Sequence, residues 1–147
     1  SACSRPATAS RELTMRLEIT QRAELAVRAL VALEGAPSRL KSSDLADLLG
    51  TTAGFVPQVM GPMVRAGWVG SVPGPTGGYE LSRSLDTLSV LDVVEMIDGP
   101  TDTGRCVVAE QMCDANEPCV LHVAWACARG ELRSSLAGLA LSQVSAQ

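Results

Sequence analysis

The chain has 147 residues, of which 46% are hydrophobic, so it can build the packed core of about one domain. Its formal net charge of −4 gives no support to nucleic-acid binding through bulk positive charge, and a DNA-binding surface would have to be a local patch. No apolar run approaches the ~20 residues that a membrane span requires, and residues 1–14 lack the apolar centre of a secretory signal, so we expect a cytoplasmic protein.

The amino-terminal half of the chain predicts a helix-turn-helix. Residues 1–14 are polar and are expected to form a disordered tail, and apolar residues recur at helical spacing from Thr20 until Gly35-Ala36-Pro37 ends the first helix. We expect a short second helix, Asp44–Leu49, and a third from about Thr52 to Ala66. Two helices joined by a tight turn that contains glycine are typical of the motif that places its second helix in the DNA major groove.

A β-hairpin is predicted directly after the third helix. Two short strands, residues 68–72 and 79–82, flank the loop of residues 73–78, which is rich in glycine and proline. A hairpin at this position is a wing, whose tip can lie along a phosphate backbone or in the minor groove. Glycines in the loop would keep bulky side chains away from that approach. We therefore expect residues 15–85 to form a winged helix-turn-helix that binds DNA.

Residues 86–147 predict a helix, a cysteine-rich loop and a long final helix. Ser89 and Asp92 have the spacing of a capping box, and Asp98-Gly99-Pro100 would end the helix that they open. The final helix should run from about residue 118 to 130 or beyond, and its apolar stripe has a second subunit as its natural cover. The expected fold is mainly α with a small β-hairpin wing and a long C-terminal dimerisation helix.

Three cysteines, Cys106, Cys113 and Cys119, lie in the predicted loop, and His122 follows the last of them. Thiolates at such spacing on a loop can converge on one soft metal centre, which favours an iron–sulfur cluster. Zinc is a rival, because three cysteines and a histidine also form a legitimate zinc ligand set, although the usual two-residue gaps between cysteines are absent. A third interpretation is a set of buried or free thiols.

Candidate DNA contacts lie before the first helix, at the start of the second helix, on the predicted recognition helix and in the wing. Gln58 could read adenine through a bidentate contact or could equally face a phosphate. Pro57 fits the first turn of the recognition helix, whereas Pro62 should bend its axis. For the basic candidates, a solvated surface position is as good an interpretation as a phosphate contact. The full set is Arg16, Lys41, Thr51, Thr52, Phe55, Gln58, Arg65, Thr76, Gly77, Gly78 and Tyr79.

The ordered set of these features resembles the IscR/NsrR family of winged-helix regulators. The resemblance is carried by Met15-Arg16-Leu17, Leu25-Ala26-Val27-Arg28-Ala29-Leu30, Gly67-Trp68-Val69, Gly74-Pro75-Thr76-Gly77-Gly78-Tyr79, Asp98-Gly99-Pro100 and the three cysteines. It implies a homodimer that binds double-stranded DNA with an affinity governed by an iron–sulfur cluster, either 4Fe–4S or 2Fe–2S. It also implies a signal such as nitric oxide, redox state or iron–sulfur status.

The resemblance carries the cluster thiolates onto the three loop cysteines and offers two candidates for a fourth ligand. His122 stands three residues after the last cysteine, where 2Fe–2S members resembling IscR place theirs. Glu24 matches the position where NsrR-like members carry an acidic ligand from the partner subunit. The alternative for Glu24 is a solvated charge that pairs with Arg28 one helical turn away.

These patterns favour a dimeric transcription regulator that is not an enzyme. Two-fold symmetry predicts a palindromic site with half-sites ~34 Å apart. The alternative from another class is an electron-transfer module that carries the same cluster, but the chain has no dinucleotide fingerprint and one histidine. A zinc-bound or cluster-free winged-helix protein is the remaining alternative.

Overall fold

The computed structural model of the protein describes residues 18–108, 112 and 116–144, and the predicted tail of residues 1–14 lies outside them. Within this part of the chain, none of the helices is both long and apolar enough to cross a membrane. The predicted mainly α fold with a β-hairpin wing is confirmed. Its elements are α1 Gln21–Gly35, α2 Ser42–Leu49, α3 Val56–Arg65, β1 Val69–Val72, β2 Gly78–Leu81, α4 Val90–Asp98 and α5 His122–Ala137, with short 3-10 turns at Leu85–Thr87 and Leu141–Gln143.

Helix α1 is the centre of the fold, and it packs against α2, α3, α4 and β2. It begins where the sequence predicts, because the Thr20 hydroxyl accepts the Ala23 backbone N–H at 3.1 Å and caps the helix. Leu30 is fully buried at its middle, among side chains from the neighbouring helices. Complete burial of such a leucine stabilises the fold by about 1.5–3 kcal/mol. The residues of α1 that are buried are Ala23, Leu25, Ala26, Val27, Ala29, Leu30 and Leu33.

Helix α2 begins at Ser42, two residues earlier than expected, and is preceded by Lys41. The Lys41 backbone N–H donates to the Asp44 carboxylate at 3.1 Å, so the acidic side chain reaches back over the first turn. Gly50 ends the helix in the left-handed conformation with φ +67°, as its position predicts.

The prediction that α3 begins at Thr52 was wrong, because the helix begins at Val56. Residues 52–55 form a turn in which the Phe55 N–H donates to the Thr52 carbonyl at 3.0 Å. A proline is tolerated in the first helical turn, where its missing N–H has no helical partner, and Pro57 occupies that turn. The helix then continues through Pro62 to Arg65.

The wing is a two-stranded antiparallel hairpin in which Val69 pairs with Leu81 and Val72 with Gly78. A backbone bridge joins it to the segment before α2. The Tyr79 N–H donates to the Leu40 carbonyl at 2.8 Å, and the Leu40 N–H donates to the Tyr79 carbonyl at 3.0 Å. The hairpin is therefore fixed to the start of the helix-turn-helix.

The capping box at the start of α4 is confirmed, since the Ser89 N–H donates to Asp92 at 2.8 Å and the Asp92 N–H donates to the Ser89 hydroxyl at 3.1 Å. Helix α5 begins at His122, four residues later than expected. After α5 the chain returns to the core, where Leu141 is fully buried and its N–H donates to the Leu88 carbonyl at 2.9 Å. The sequence did not predict this return.

Candidate functional site

A groove of about 340 Å³ lies between the start of α2 and the wing. Lys41, Ser42 and Ser43 line one side of it, and wing residues that include Gly77 and Tyr79 line the other. Hydroxyl groups, a lysine and the first N–H groups of a helix are the donors that proteins present to DNA phosphates. The groove therefore brings together four of the predicted contact residues, namely Lys41, Gly77, Gly78 and Tyr79. Ser42 and Ser43 were not among the contacts predicted from the sequence, because their place beside the wing depends on the folded chain.

Two wing glycines make room for the backbone of the protein itself. A Cβ atom at Gly77 would lie 1.9 Å from the Val72 carbonyl oxygen, and one at Gly78 would lie 2.6 Å from that of Leu40. Gly78 also has a φ of +142°, which side-chain-bearing residues rarely adopt. The sequence predicts that glycines here clear a path for DNA. In the structure these two glycines also allow close contact between backbone segments within the protein.

The remaining predicted DNA contacts have different exposures. Thr52, Gln58, Arg65 and Thr76 are exposed, and Thr51 is half-buried. Phe55 is also half-buried and packs against the core. Arg16 lies outside the described residues.

The candidate ligand Glu24 forms an ion pair with Arg28, with 3.2 Å between Oε1 and Nη1. Arg28 also donates to the Leu48 carbonyl at 3.2 Å, near the end of α2. The pairing that the helical spacing predicts is thus present in the structure. Glu24 lies on α1, apart from the described residues that line the cysteine cleft.

The cysteine cleft is a pocket of about 250 Å³ where the loop after α4 meets the start of α5. Cys106, Cys119 and His122 line it together, and Trp125 forms part of its wall. Among the described residues, no three His, Cys, Asp or Glu side chains form a group that could hold a metal ion. Cys113 lies outside those residues, so the predicted set of three thiolates stays a prediction.

The donor set of the cleft fits an iron–sulfur cluster in its chemistry. Thiolate is the preferred ligand of such clusters, and imidazole is an accepted substitute. The Val108 backbone N–H also donates to the Cys106 sulfur at 3.4 Å. Hydrogen bonds of this kind stabilise negative charge on sulfur and tune the potential of a cluster that the sulfur ligates.

Two ion pairs fasten the cysteine loop and α4 to α5. The Asp102 carboxylate accepts the Gly104 N–H at 3.0 Å and the Arg129 guanidinium at 2.8 Å. These contacts, the Gly104 N–H above all, hold the pKa of Asp102 below its ordinary value. The Glu95 carboxylate accepts the Thr101 N–H at 3.1 Å and lies 3.5 Å from Arg133.

The pKa of Glu95 is also held below its ordinary value, chiefly by the hydrogen bond from the Thr101 backbone N–H and then by the positive charge of Arg133. At the end of α4, Asp98 accepts the Thr20 hydroxyl at 2.7 Å. The loop that carries the cysteines is therefore linked through α4 to the first turn of α1.

The comparison with protein families gives one match over most of the chain. The profile of the Rrf2 family, described as an iron-dependent transcriptional regulator, matches residues 19–147. Among curated relatives, the HTH-type transcriptional regulator IscR of Aliivibrio salmonicida is 27% identical over 114 residues, which cover 78% of this chain and 67% of the relative.

Solved structures give the same fold. The global cysteine regulator CymR of B. subtilis superposes with a TM-score of 0.69 and 20% identity, over 87% of this chain and 95% of that protein. The IscR protein of T. potens superposes with a TM-score of 0.65 and 19% identity, over 86% of this chain and 85% of that protein.

Proposed function

Because the chain belongs to the Rrf2 family of transcriptional regulators, we propose that it is a homodimeric DNA-binding regulator whose DNA affinity depends on an iron–sulfur cluster. Its relatives are named transcriptional regulators, so the chain is a regulator of IscR type and not an enzyme. In this proposal residues 15–85 bind DNA, and residues 86–147 hold the cluster and the subunit contact. A role on DNA also agrees with the cytoplasmic location that we predict.

The proposed DNA-binding surface combines α3, the preceding turn and the groove between α2 and the wing. Exposed Gln58 on α3 would enter the major groove, while Lys41, Ser42 and Ser43 would contact phosphates. The wing would lie beside the same phosphates because its backbone is bridged to Leu40. Two such surfaces related by a dyad would read a palindromic site with half-sites ~34 Å apart.

A second subunit is proposed because α5 is poorly covered. None of the sixteen residues of α5, all of which the structure describes, is buried. Apolar side chains remain exposed along it, including Val123 at 70% and Leu132 at 39%. A helix with such a surface requires a partner, and closed two-fold symmetry is the commonest solution.

The observation that carries the cluster proposal is the cleft that Cys106, Cys119 and His122 line together. The proposed ligands are these three residues and Cys113. His122 is favoured as the fourth ligand because it lines the same cleft as two of the cysteines. Glu24 would have to come from the partner subunit and exchange its ion pair with Arg28 for a ligand bond.

When bound, an iron–sulfur cluster would supply a centre that reacts with nitric oxide or oxidants and that depends on iron supply. The residues around it would transmit its state. Asp102 and Arg129 hold the cysteine loop on α5, and Asp98 holds the end of α4 on Thr20. A tenfold change in DNA affinity corresponds to about 1.4 kcal/mol, so a small shift along these contacts is sufficient.

The test is to purify the protein without oxygen and to measure iron, sulfide and the visible spectrum, with native mass spectrometry for the subunit number. We expect a coloured dimer with equal iron and sulfide. C119S should lose the cluster, whereas C127S should keep it, because Cys127 is exposed on α5 and lies apart from the described lining of the cleft. Colourless protein with one zinc per subunit, or without metal, would refute the cluster.

The fourth ligand and the DNA site need separate measurements. H122A should shift the visible spectrum, whereas E24A should leave it unchanged if His122 is the ligand. Selection from a random DNA library should yield a palindrome. Absence of any selected sequence, with both holo and apo protein, would refute DNA binding while leaving the cofactor result intact.

A further inference from the structure

A proline in the middle of α3 removes one backbone donor from the recognition helix. In an α-helix the N–H of each residue donates to the carbonyl four residues earlier, so Pro62 leaves the Gln58 carbonyl without that partner. Gly61 precedes Pro62, and its missing Cβ eases the steric conflict that a proline creates with the residue before it. The helix can therefore continue through Pro62, but one carbonyl needs another donor.

Arg22 supplies that donor from a different helix. Its Nη2 atom donates to the Gln58 carbonyl oxygen at 3.0 Å, across 36 positions of sequence. Arg22 lies in the first turn of α1, two residues after Thr20, which caps this helix and contacts Asp98. A hydrogen bond from a charged guanidinium is stronger than one between neutral groups. The bond joins the central helix to the backbone of the residue that is the best candidate for reading a base.

We propose that Arg22 is a positioning residue for the recognition helix, replacing the N–H that Pro62 lacks and fixing the backbone at Gln58. The inference rests on the proposed DNA-binding function. Arg22 acts through the Gln58 backbone and does not bind a phosphate. Its removal therefore changes how α3 is presented to the base pairs and leaves the number of phosphate contacts unchanged.

The test is a double-mutant cycle that combines R22M with P62A, measured on the DNA site that the wild-type protein selects. R22M keeps an unbranched side chain and removes the donors. P62A restores a backbone N–H to the Gln58 carbonyl. We expect R22M to weaken DNA binding about tenfold in the wild-type background, which corresponds to about 1.4 kcal/mol, and less than about twofold in the P62A background.

Two further readouts separate positioning from other roles of Arg22. A phosphate contact would lower the slope of log affinity against log salt concentration by about one, whereas a positioning residue leaves that slope unchanged. R22M should also reduce the ratio of affinities for the selected site and for a site altered at the base that Gln58 reads. Circular dichroism confirms that all four proteins are folded at the assay temperature.

Each outcome bears on one claim. Equal losses from R22M in both backgrounds, or a salt slope lower by about one, would overturn the positioning role while the regulator remains a DNA-binding protein. Unchanged affinity of R22M for the selected site would also overturn the positioning role. Failure of the wild-type protein to select any DNA would instead refute the proposed function.

Discussion

A glycine, Gly78, determines how the wing is attached to the segment before α2. At Gly78 the φ of +142° and the nearby Leu40 carbonyl both exclude a Cβ atom. The bridge between Leu40 and Tyr79 depends on this close approach, because Tyr79, which makes both of its hydrogen bonds, directly follows the glycine. A single methyl group at position 78 therefore conflicts with the attachment of the whole hairpin.

We expect G78A to lower the free energy of unfolding by about 2 kcal/mol or more, through backbone strain and displacement of the Leu40 bridge. Urea denaturation followed by circular dichroism would measure the loss. G35A is the matched control, because no atom beyond its own stretch of helix lies within 4 Å of the Cβ position at Gly35 and its φ is not positive. A G78A protein as stable as the G35A protein would contradict this account of the wing.

Thr20 has two roles through one hydroxyl group. It accepts the Ala23 N–H as the cap of α1 and donates to Asp98 at the end of α4. We expect T20A to lower the free energy of unfolding by about 1–2 kcal/mol, mainly through the lost cap. T20S keeps both bonds and should lie within about 0.5 kcal/mol of wild type. Equal loss in both variants would show that the methyl group, not the hydroxyl, matters.

At the scale of elements, α5 is attached to the body of the protein through charged contacts as well as apolar ones. Glu95 on α4 lies beside Arg133 on α5, and Asp102 in the loop pairs with Arg129. Both carboxyl groups have pKa values below their ordinary ones in the folded protein. A carboxyl with a lowered pKa stabilises the fold above its unfolded pKa, and this contribution is lost as the pH falls through the folded pKa.

The resulting prediction concerns acid pH. E95Q should be less stable than wild type at pH 7, by less than about 1 kcal/mol because the pair is partly exposed. The difference should shrink as the pH falls below 4.5, the ordinary pKa of Glu95, and disappear once the carboxyl is protonated in both states. Urea midpoints at pH 7, 4.5 and 3 would measure this trend. A difference that is constant with pH would exclude a charge-based contribution.

Local sequence patterns predicted the elements whose causes are local. The end of α2 before Gly50 and the capping box of Ser89 and Asp92 follow from residue types a few positions apart, and both are present in the structure. The start of α3 was placed too early, because helical spacing of apolar residues extends through the turn that precedes Val56. Burial of Leu141 was not predicted, since it depends on contacts with residues far away in sequence.

In the candidate site, too, features with local causes were predicted and those that depend on distant contacts were not. The spacing of the cysteines predicted a shared site, and Cys106 and Cys119 line one cleft with His122. Arg22 was missed because its partner is a backbone carbonyl far along the chain. A proline inside a predicted helix was the available signal, since it shows that some carbonyl needs a donor but does not identify which residue supplies it.

At the scale of the whole molecule, the central prediction is dimerisation through α5. L132D should be monomeric at concentrations where wild type is dimeric, because symmetry would bury two unpaired carboxylates in one interface. L132M keeps an apolar side chain at the same position and serves as the control. Sedimentation velocity would measure both. Dimeric L132D would place the subunit contact on another surface.

The exposed apolar surface of α5 has a consequence for gene dosage. With a subunit interface built on this helix, the concentration of active species depends on monomer encounters. In dilute protein, halving the copy number would lower the number of dimers about fourfold, by mass action. The abundance of the regulator would thus be an input to its target promoters in its own right, independent of any chemistry at the cysteines.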